Sequence, residues 1–93
     1  QASGGVAVTR DSVFALISAE RQAQIDKWGH QRELHPSLWF LILGEEVGEV
    51  ANAILELKEF DSDLRERTAA RAHLLEEIVQ VAAVAVAWLE EGF

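Results

Sequence analysis

The chain contains no cysteine, only one proline (Pro36) and six glycines. Without cysteine, neither a disulfide framework nor thiolate chemistry is available to this protein. The scarcity of proline and glycine favours long, uninterrupted helices over a turn-rich sheet fold.

Positive charge is also scarce. The sequence has eight Lys and Arg against sixteen Asp and Glu, so its formal net charge is -8. This balance argues against binding a nucleic-acid polymer through broad electrostatics. It does not argue against a nucleotide, because a bound divalent cation can invert the local field.

Long apolar runs and targeting signals are missing as well. The most apolar run, residues 78–89, is twelve residues long, which is too short to span a bilayer. The beginning of the chain lacks the charged-then-apolar order of a secretory signal. We therefore expect no membrane partner, a cytoplasmic location and a flexible leader over residues 1–9. Because 49% of the 93 residues are apolar, we expect residues 10–93 to form one ordered domain.

Apolar periodicity and cap residues predict three helices, over about residues 11–28, 36–60 and 63–91. Thr9 or Asp11 is the expected cap of the first helix. On that helix, apolar residues at helical spacing predict a stripe that faces the core, and these residues are Phe14, Ile17, Ile25 and Trp28. The second helix is predicted to be buried on most sides, with one acidic strip exposed.

The last helix is rich in Ala and Val around its whole circumference over residues 79–87. A single chain with three helices cannot cover all of that surface. We therefore expect an all-α fold whose antiparallel helices complete four-helix bundles through homo-oligomerisation, as a homodimer or a homotetramer.

Three glutamates, Glu45, Glu46 and Glu49, stand in an otherwise small or apolar part of the second helix. Carboxylates three or four residues apart lie on the same side of a helix and repel each other. Glu77 and Gln80 are also one turn apart, on the third helix. If the two helices pack antiparallel, these oxygen-bearing side chains converge. Oxygen ligands from facing helices suit a hard cation such as Mg²⁺, whose charge would relieve the repulsion.

These residues carry a resemblance to a known family. The MazG-like, all-α nucleoside triphosphate pyrophosphohydrolases have an E-E-x-x-E motif on one helix and an E-x-x-D motif on a later one. This chain has E-E-V-G-E at 45–49 and E-I-V-Q at 77–80, so Gln80 stands where the family pattern has Asp. The segments RQAQIDKWGHQ, HPSLWFLILGEEVGEV and LLEEIVQVAAVAVAWLEE also resemble the family, which extends the likeness to roughly residues 18–91.

The resemblance implies Mg²⁺-dependent cleavage of nucleoside or deoxynucleoside triphosphates into a monophosphate and pyrophosphate, with Mn²⁺ as a substitute cation and house-cleaning of the nucleotide pool as a role. It implies Glu46, Glu49 and Glu77 as metal ligands, with Gln80 as a neutral fourth. It also implies Glu45 and Glu46 as the catalytic carboxylates, Glu45 lying behind the ligands or activating water.

The substrate-binding residues follow from position alone. Lys27 and Lys58 are the cations expected to reach the triphosphate, and the ring of Trp28 or Trp39 would stack on the base. Asn52, one turn beyond Glu49, would orient a phosphate or the ribose. The plainer alternatives are core packing for the two tryptophans and a solvated acidic strip for the glutamates.

Two other classes of protein compete with this interpretation. A ferritin-like di-metal protein needs a Glu-x-x-His motif, and no Glu of this chain is followed by His at that spacing. A non-catalytic module that binds nucleotide, or that only dimerises through its helices, stays open because Gln80 is neutral.

Overall fold

The computed structural model describes residues 8–59 and 63–93. These residues form three helices, α1 (Arg10–Trp28), α2 (Pro36–Glu59) and α3 (Leu64–Glu91), and no strand. The predicted all-α class is therefore confirmed, and the observed helices agree closely with the predicted ranges. Phe60, the predicted end of the second helix, and residues 1–7 of the predicted leader lie outside the described residues.

A side-chain cap explains where α1 begins, and a glycine explains where it ends. Thr9 is the N-cap: its Oγ1 accepts a hydrogen bond from the Ser12 N–H at 3.1 Å, and the Ser12 Oγ accepts one from the Thr9 N–H at 2.9 Å. The other predicted cap, Asp11, lies within the first turn. At the far end Gly29 adopts a φ of 72°, which favours glycine, and its N–H donates to the Ile25 carbonyl at 2.7 Å.

Helices α1 and α2 both pack against α3. Backbone contacts join α3 to both α2 and α1, whereas no Cα atom of α1 lies within 8 Å of a Cα atom of α2. Helices α2 and α3 run in opposite directions: Trp39 near the start of α2 lines the same cleft as Ala87 near the end of α3, and Glu56 near the end of α2 lies beside His73. This antiparallel pairing brings the middle of α2 next to the middle of α3.

The core of the described chain is small. Its buried apolar residues come mostly from α3, and they are Trp39, Ala53, Ala70, Ala83, Val84 and Ala87. On α2, the side chains of Phe40, Leu41 and Leu55 are 64%, 61% and 63% exposed. The prediction that α2 is buried on most sides is therefore wrong for a single chain, because α3 alone is too narrow to cover it.

The predicted core-facing stripe of α1 is also wrong for a single chain. Phe14 and Trp28 are more than half exposed, and the two buried residues of α1 are Arg21 and Gln24. Arg21 forms ion pairs with carboxylates at the end of α3. These ion pairs turn a polar side of α1 inward and leave part of its apolar side facing solvent.

An apolar groove of about 610 Å³ lies on the surface between α1 and α3. Side chains of α1 and α3 form most of its walls, and they include Val13, Leu16, Leu74, Leu75, Ile78 and Val79. Leu16, Leu75 and Ile78 are each about half exposed. The chain thus presents a continuous apolar surface that its own described residues leave open.

Helix α3 is long and apolar enough, by length and composition alone, to cross a membrane. Its most apolar 18-residue window has a mean hydropathy of 1.5, and 17% of it is buried. The one such window with no more than two charged residues is 72–89, which includes Glu76 and Glu77. Carboxylates are costly in hydrocarbon, and core helices of soluble proteins pass the same test. The absence of a membrane partner stays a prediction.

Candidate functional site

The five residues of the two predicted acidic motifs line one surface cleft of about 380 Å³. Glu45, Glu46 and Glu49 reach it from α2, and Glu77 and Gln80 reach it from α3. The antiparallel pairing of these helices places the motifs opposite each other. We call this feature the acidic cleft.

The pKa of the Glu46 carboxyl is raised above its ordinary value. Burial is the largest cause, and the remaining causes are the negative charges of Glu77, Glu49, Glu45 and Glu20. The contribution of Glu20 comes from α1 and was not predicted from the sequence. Glu46 therefore lies where added positive charge, from a proton or a cation, is favoured.

The side chains of the acidic cleft carry the kind of oxygen atoms that a hard divalent cation prefers as ligands. Glu46, Glu49 and Glu77 offer carboxylate oxygens, and Gln80 offers a neutral amide oxygen. Among residues 8–59 and 63–93, however, no three His, Asp or Glu side chains are close enough together to hold one ion. Shared coordination would require rotation of these side chains, of which Glu49 is exposed.

His73 lies beside the acidic cleft, between the two helices that form it. Its Nε2 is 3.4 Å from the Oε1 of Glu77, and its Nδ1 is 3.4 Å from the Oε2 of Glu56. The imidazole therefore joins a carboxylate of the cleft to a carboxylate outside it. This arrangement can restrict the orientation of Glu77.

A second, smaller cleft of about 100 Å³ lies between the three helices, and we call it the inner cleft. Its walls include both predicted stacking residues, Trp28 and Trp39. Glu46 and Gln80 line the inner cleft as well as the acidic cleft, so the two clefts are neighbours. The structure thus brings both tryptophan rings close to the predicted metal ligands.

The two tryptophans differ in their surroundings. Trp39 is only 2% exposed, and its Nε1 has no hydrogen-bond partner within the described part of the chain. Trp28 is 59% exposed, and the Lys27 Nζ lies 4.6 Å from the centre of its ring. Trp39 therefore belongs to the core as the plainer alternative expected, while it also forms a wall of the inner cleft. Trp28 lines the inner cleft but is more exposed than buried.

The other predicted substrate-binding residues are not brought to either cleft. Lys27, Asn52 and Lys58 are exposed, and none of them is among the described residues that line the acidic or the inner cleft. Their contact with a bound nucleotide stays a prediction, and it would depend on how far the phosphates extend from the acidic cleft.

A network of charged side chains includes two residues that line the inner cleft, Arg21 and Glu91. Arg21 Nε lies 3.0 Å from Glu90 Oε1, and Arg21 Nη2 lies 3.0 Å from Glu91 Oε2. His30 Nδ1 is 2.6 Å from Glu91 Oε1. The network joins α1, the loop after it and the end of α3. We call these four residues the ion-pair network.

The charge state of Glu91 reflects these partners. Burial, the largest single influence, acts to raise its pKa, but the hydrogen bond and charge of His30 and those of Arg21 together lower the pKa below its ordinary value. Sequence reasoning missed this network. The available signal was the pair Glu90 and Glu91 at the negative end of a helix, where carboxylates need cationic partners.

Comparison of the chain with protein-family models, with curated proteins and with solved structures finds no match. The likeness to the MazG-like family therefore rests on the motifs at 45–49 and 77–80 and on their surroundings in the sequence.

Proposed function

We propose that this protein is a Mg²⁺-dependent nucleoside triphosphate pyrophosphohydrolase of the MazG-like type. The observation that supports this proposal is the convergence of five oxygen-bearing side chains, from two separate motifs, on one cleft. The raised pKa of Glu46 adds to it, because crowded carboxylates favour a bound cation.

The proposed reaction adds water across the anhydride between the α- and β-phosphates and gives a nucleoside monophosphate and pyrophosphate. Mg²⁺ would offset negative charge on the phosphate oxygens. Glu46, Glu49 and Glu77 would hold the cation, and Gln80 would contribute a neutral oxygen or bind a phosphate. Glu45, which is exposed at the cleft, would orient the attacking water and accept its proton.

We also propose that the working form is a homodimer or homotetramer in which antiparallel helices complete four-helix bundles. The exposed apolar side chains of α2 and the apolar groove between α1 and α3 support this proposal. A second copy of the chain would cover surfaces that three helices leave open.

A screen of ribonucleoside and deoxynucleoside triphosphates with Mg²⁺ or Mn²⁺, scored by pyrophosphate release, tests the activity. The variants Glu46→Gln, Glu49→Gln and Glu77→Gln should each abolish Mg²⁺-dependent hydrolysis while circular dichroism shows an intact fold. Glu59→Gln is the matched control, because Glu59 is an exposed glutamate of α2 outside the cleft. Full activity in one variant would remove that residue from the ligand set. Loss of helicity would mark it as structural.

The alternative is a module that binds nucleotide, or that only dimerises, without catalysis. The neutral side chain of Gln80 in the acidic cleft favours it, since the cation would have one carboxylate fewer than in the family pattern. Nucleotide affinity without pyrophosphate release would establish a binding module. Association without nucleotide affinity would establish a dimerisation module.

A further inference from the structure

We propose that residues 29–35, which connect α1 to α2, form a gate at one side of the inner cleft, and that the contact between His30 and Glu91 is the latch that keeps this gate closed. This inference goes beyond the proposed function, because opening of the gate can be measured without a nucleotide or a cation.

The gate supplies part of the wall of the inner cleft. Gly29 and Gln31 line this cleft, next to Trp28 at the end of α1. The rest of the wall comes from the three helices. Outward movement of the gate would therefore widen the inner cleft while α2 stays packed against α3.

Few interactions hold the gate against the helices. Residues 29–35 form no helix or strand, and the helices that they connect make no close backbone contact with each other within the described part of the chain. The ion pairs that the gate makes with described residues all involve Glu91. His30 Nδ1 lies 2.6 Å from the Glu91 Oε1, and Arg32 Nε lies 3.8 Å from the same atom. The position of the gate therefore depends on Glu91, and His30 is its closest contact.

The two carboxylate oxygens of Glu91 have different partners. Oε2 is 3.0 Å from Arg21 Nη2, whereas Oε1 accepts a hydrogen bond from His30. The side chains of Arg21 and Glu91 are 9% and 5% exposed, but that of His30 is 52% exposed. Departure of His30 would thus leave the buried carboxylate paired with Arg21, and it would avoid the large cost of an unpaired buried charge. The latch can open without breaking the rest of the ion-pair network.

Gly29 provides the hinge at the beginning of the gate. Its φ of 72° lies in the region that favours glycine, and no other group lies within 4 Å of the position that a Cβ atom would take. The backbone can therefore turn here without collision. The other end of the gate stays attached to α2, because the Ser37 N–H donates to His35 Nδ1 at 3.1 Å.

Trp39 reports on opening of the gate. It lines the inner cleft and is 2% exposed, and its Nε1 has no hydrogen-bond partner among the described residues. Its indole hydrogen can exchange with solvent only when water reaches it. Trp88 Nε1 is buried and without a partner in the same sense, but Trp88 lies on α3 and is not among the residues that line the inner cleft. The Trp88 indole is therefore an internal reference.

The test is hydrogen exchange of the full chain with ¹⁵N-labelled tryptophan, followed by NMR at one fixed protein concentration. His30→Leu removes the donor of the latch. It should accelerate exchange of the Trp39 indole hydrogen by about tenfold or more, the effect of one lost hydrogen bond to a charged group, and leave Trp88 unchanged. His30→Asn retains an N–H donor close to the backbone and should keep most of the slow exchange. Glu33→Leu is the matched control, because Glu33 is an exposed residue of the same gate.

Two results with His30→Leu would overturn the inference. One is an unchanged exchange rate at Trp39, and the other is equal acceleration at Trp39 and Trp88, which would indicate a loss of overall stability. A second measurement needs no variant. In the unaltered protein the Trp39 indole hydrogen should be less protected than the slowest backbone amides of α3, because a local opening reaches it. Equal protection would mean that only global unfolding exposes Trp39, and it would also overturn the inference.

Discussion

Replacing Arg21 by methionine should lower the free energy of unfolding by about 3 kcal/mol. The side chains of Arg21 and Glu91 are 9% and 5% exposed, so the pair is shielded from water. Removing one partner of a buried ion pair leaves an uncompensated charge and costs about 3–5 kcal/mol. We expect the lower end of that range because His30, whose Nδ1 lies 2.6 Å from Glu91, would still face the carboxylate.

Two further variants separate the charge from the packing of the arginine stem. The double variant Arg21→Met with Glu91→Met removes both charges and should recover most of the loss, since an apolar pair of similar volume avoids the cost of desolvation. Glu90→Gln is the control. The Glu90 side chain is 58% exposed, so its ion pair with Arg21 should contribute about 1 kcal/mol or less.

The measurement is urea unfolding followed by helical circular dichroism at one fixed protein concentration, because association would make stability depend on concentration. A loss below about 1 kcal/mol in Arg21→Met would refute the argument from buried charge. If the double variant recovered nothing, the loss would come from the packing of the Arg21 side chain.

Three more predictions concern pH, the cation and assembly. The pKa of the Glu46 carboxyl is raised in the folded protein. Its protonated form therefore contributes to the stability of the metal-free protein at pH values below the pKa that Glu46 has in the unfolded chain. This contribution is lost as the pH rises through the higher pKa of the folded protein. Glu46→Gln should therefore stabilise the metal-free protein at neutral pH by about 0.2–0.5 kcal/mol per relieved repulsion, and lower stability in thermal melts would contradict this. Gln80→Asp should tighten Mg²⁺ binding in calorimetry, and unchanged or weaker binding would mean that position 80 does not face the cation. Light scattering should show the unaltered chain as an oligomer whose unfolding depends on concentration and Leu16→Glu as a smaller species, whereas a stable unaltered monomer would contradict the proposed assembly.

The helix ranges could be predicted because their signals are local. The cap at Thr9, the stop at Gly29 and the apolar periodicity each depend on neighbours within one or two turns. The acidic cleft could also be predicted, because helical spacing places each motif on one face and a short connection makes α2 and α3 antiparallel.

The inward polar face of α1 could not be predicted in the same way. It depends on the pairing of Arg21 with Glu91, which lies 70 residues further along the chain. Apolar periodicity identifies the side of α1 that needs cover, but it does not distinguish cover by the same chain from cover by another copy. Gln24 was missed for the same reason, although Glu20 and Gln24 are one turn apart and mark a polar line on that helix.

Within residues 8–59 and 63–93, α1 makes close backbone contacts with α3 but none with α2. A helix with few buried apolar contacts opens locally at a lower free energy than the whole molecule. In the single chain, the amides of α1 should therefore exchange with solvent hydrogen faster than those of α3. Trp28, a predicted stacking residue that lines the inner cleft, belongs to α1, whereas α2 and α3 alone line the acidic cleft. Local opening of α1 would give a base access to the inner cleft while the predicted cation ligands stay in place.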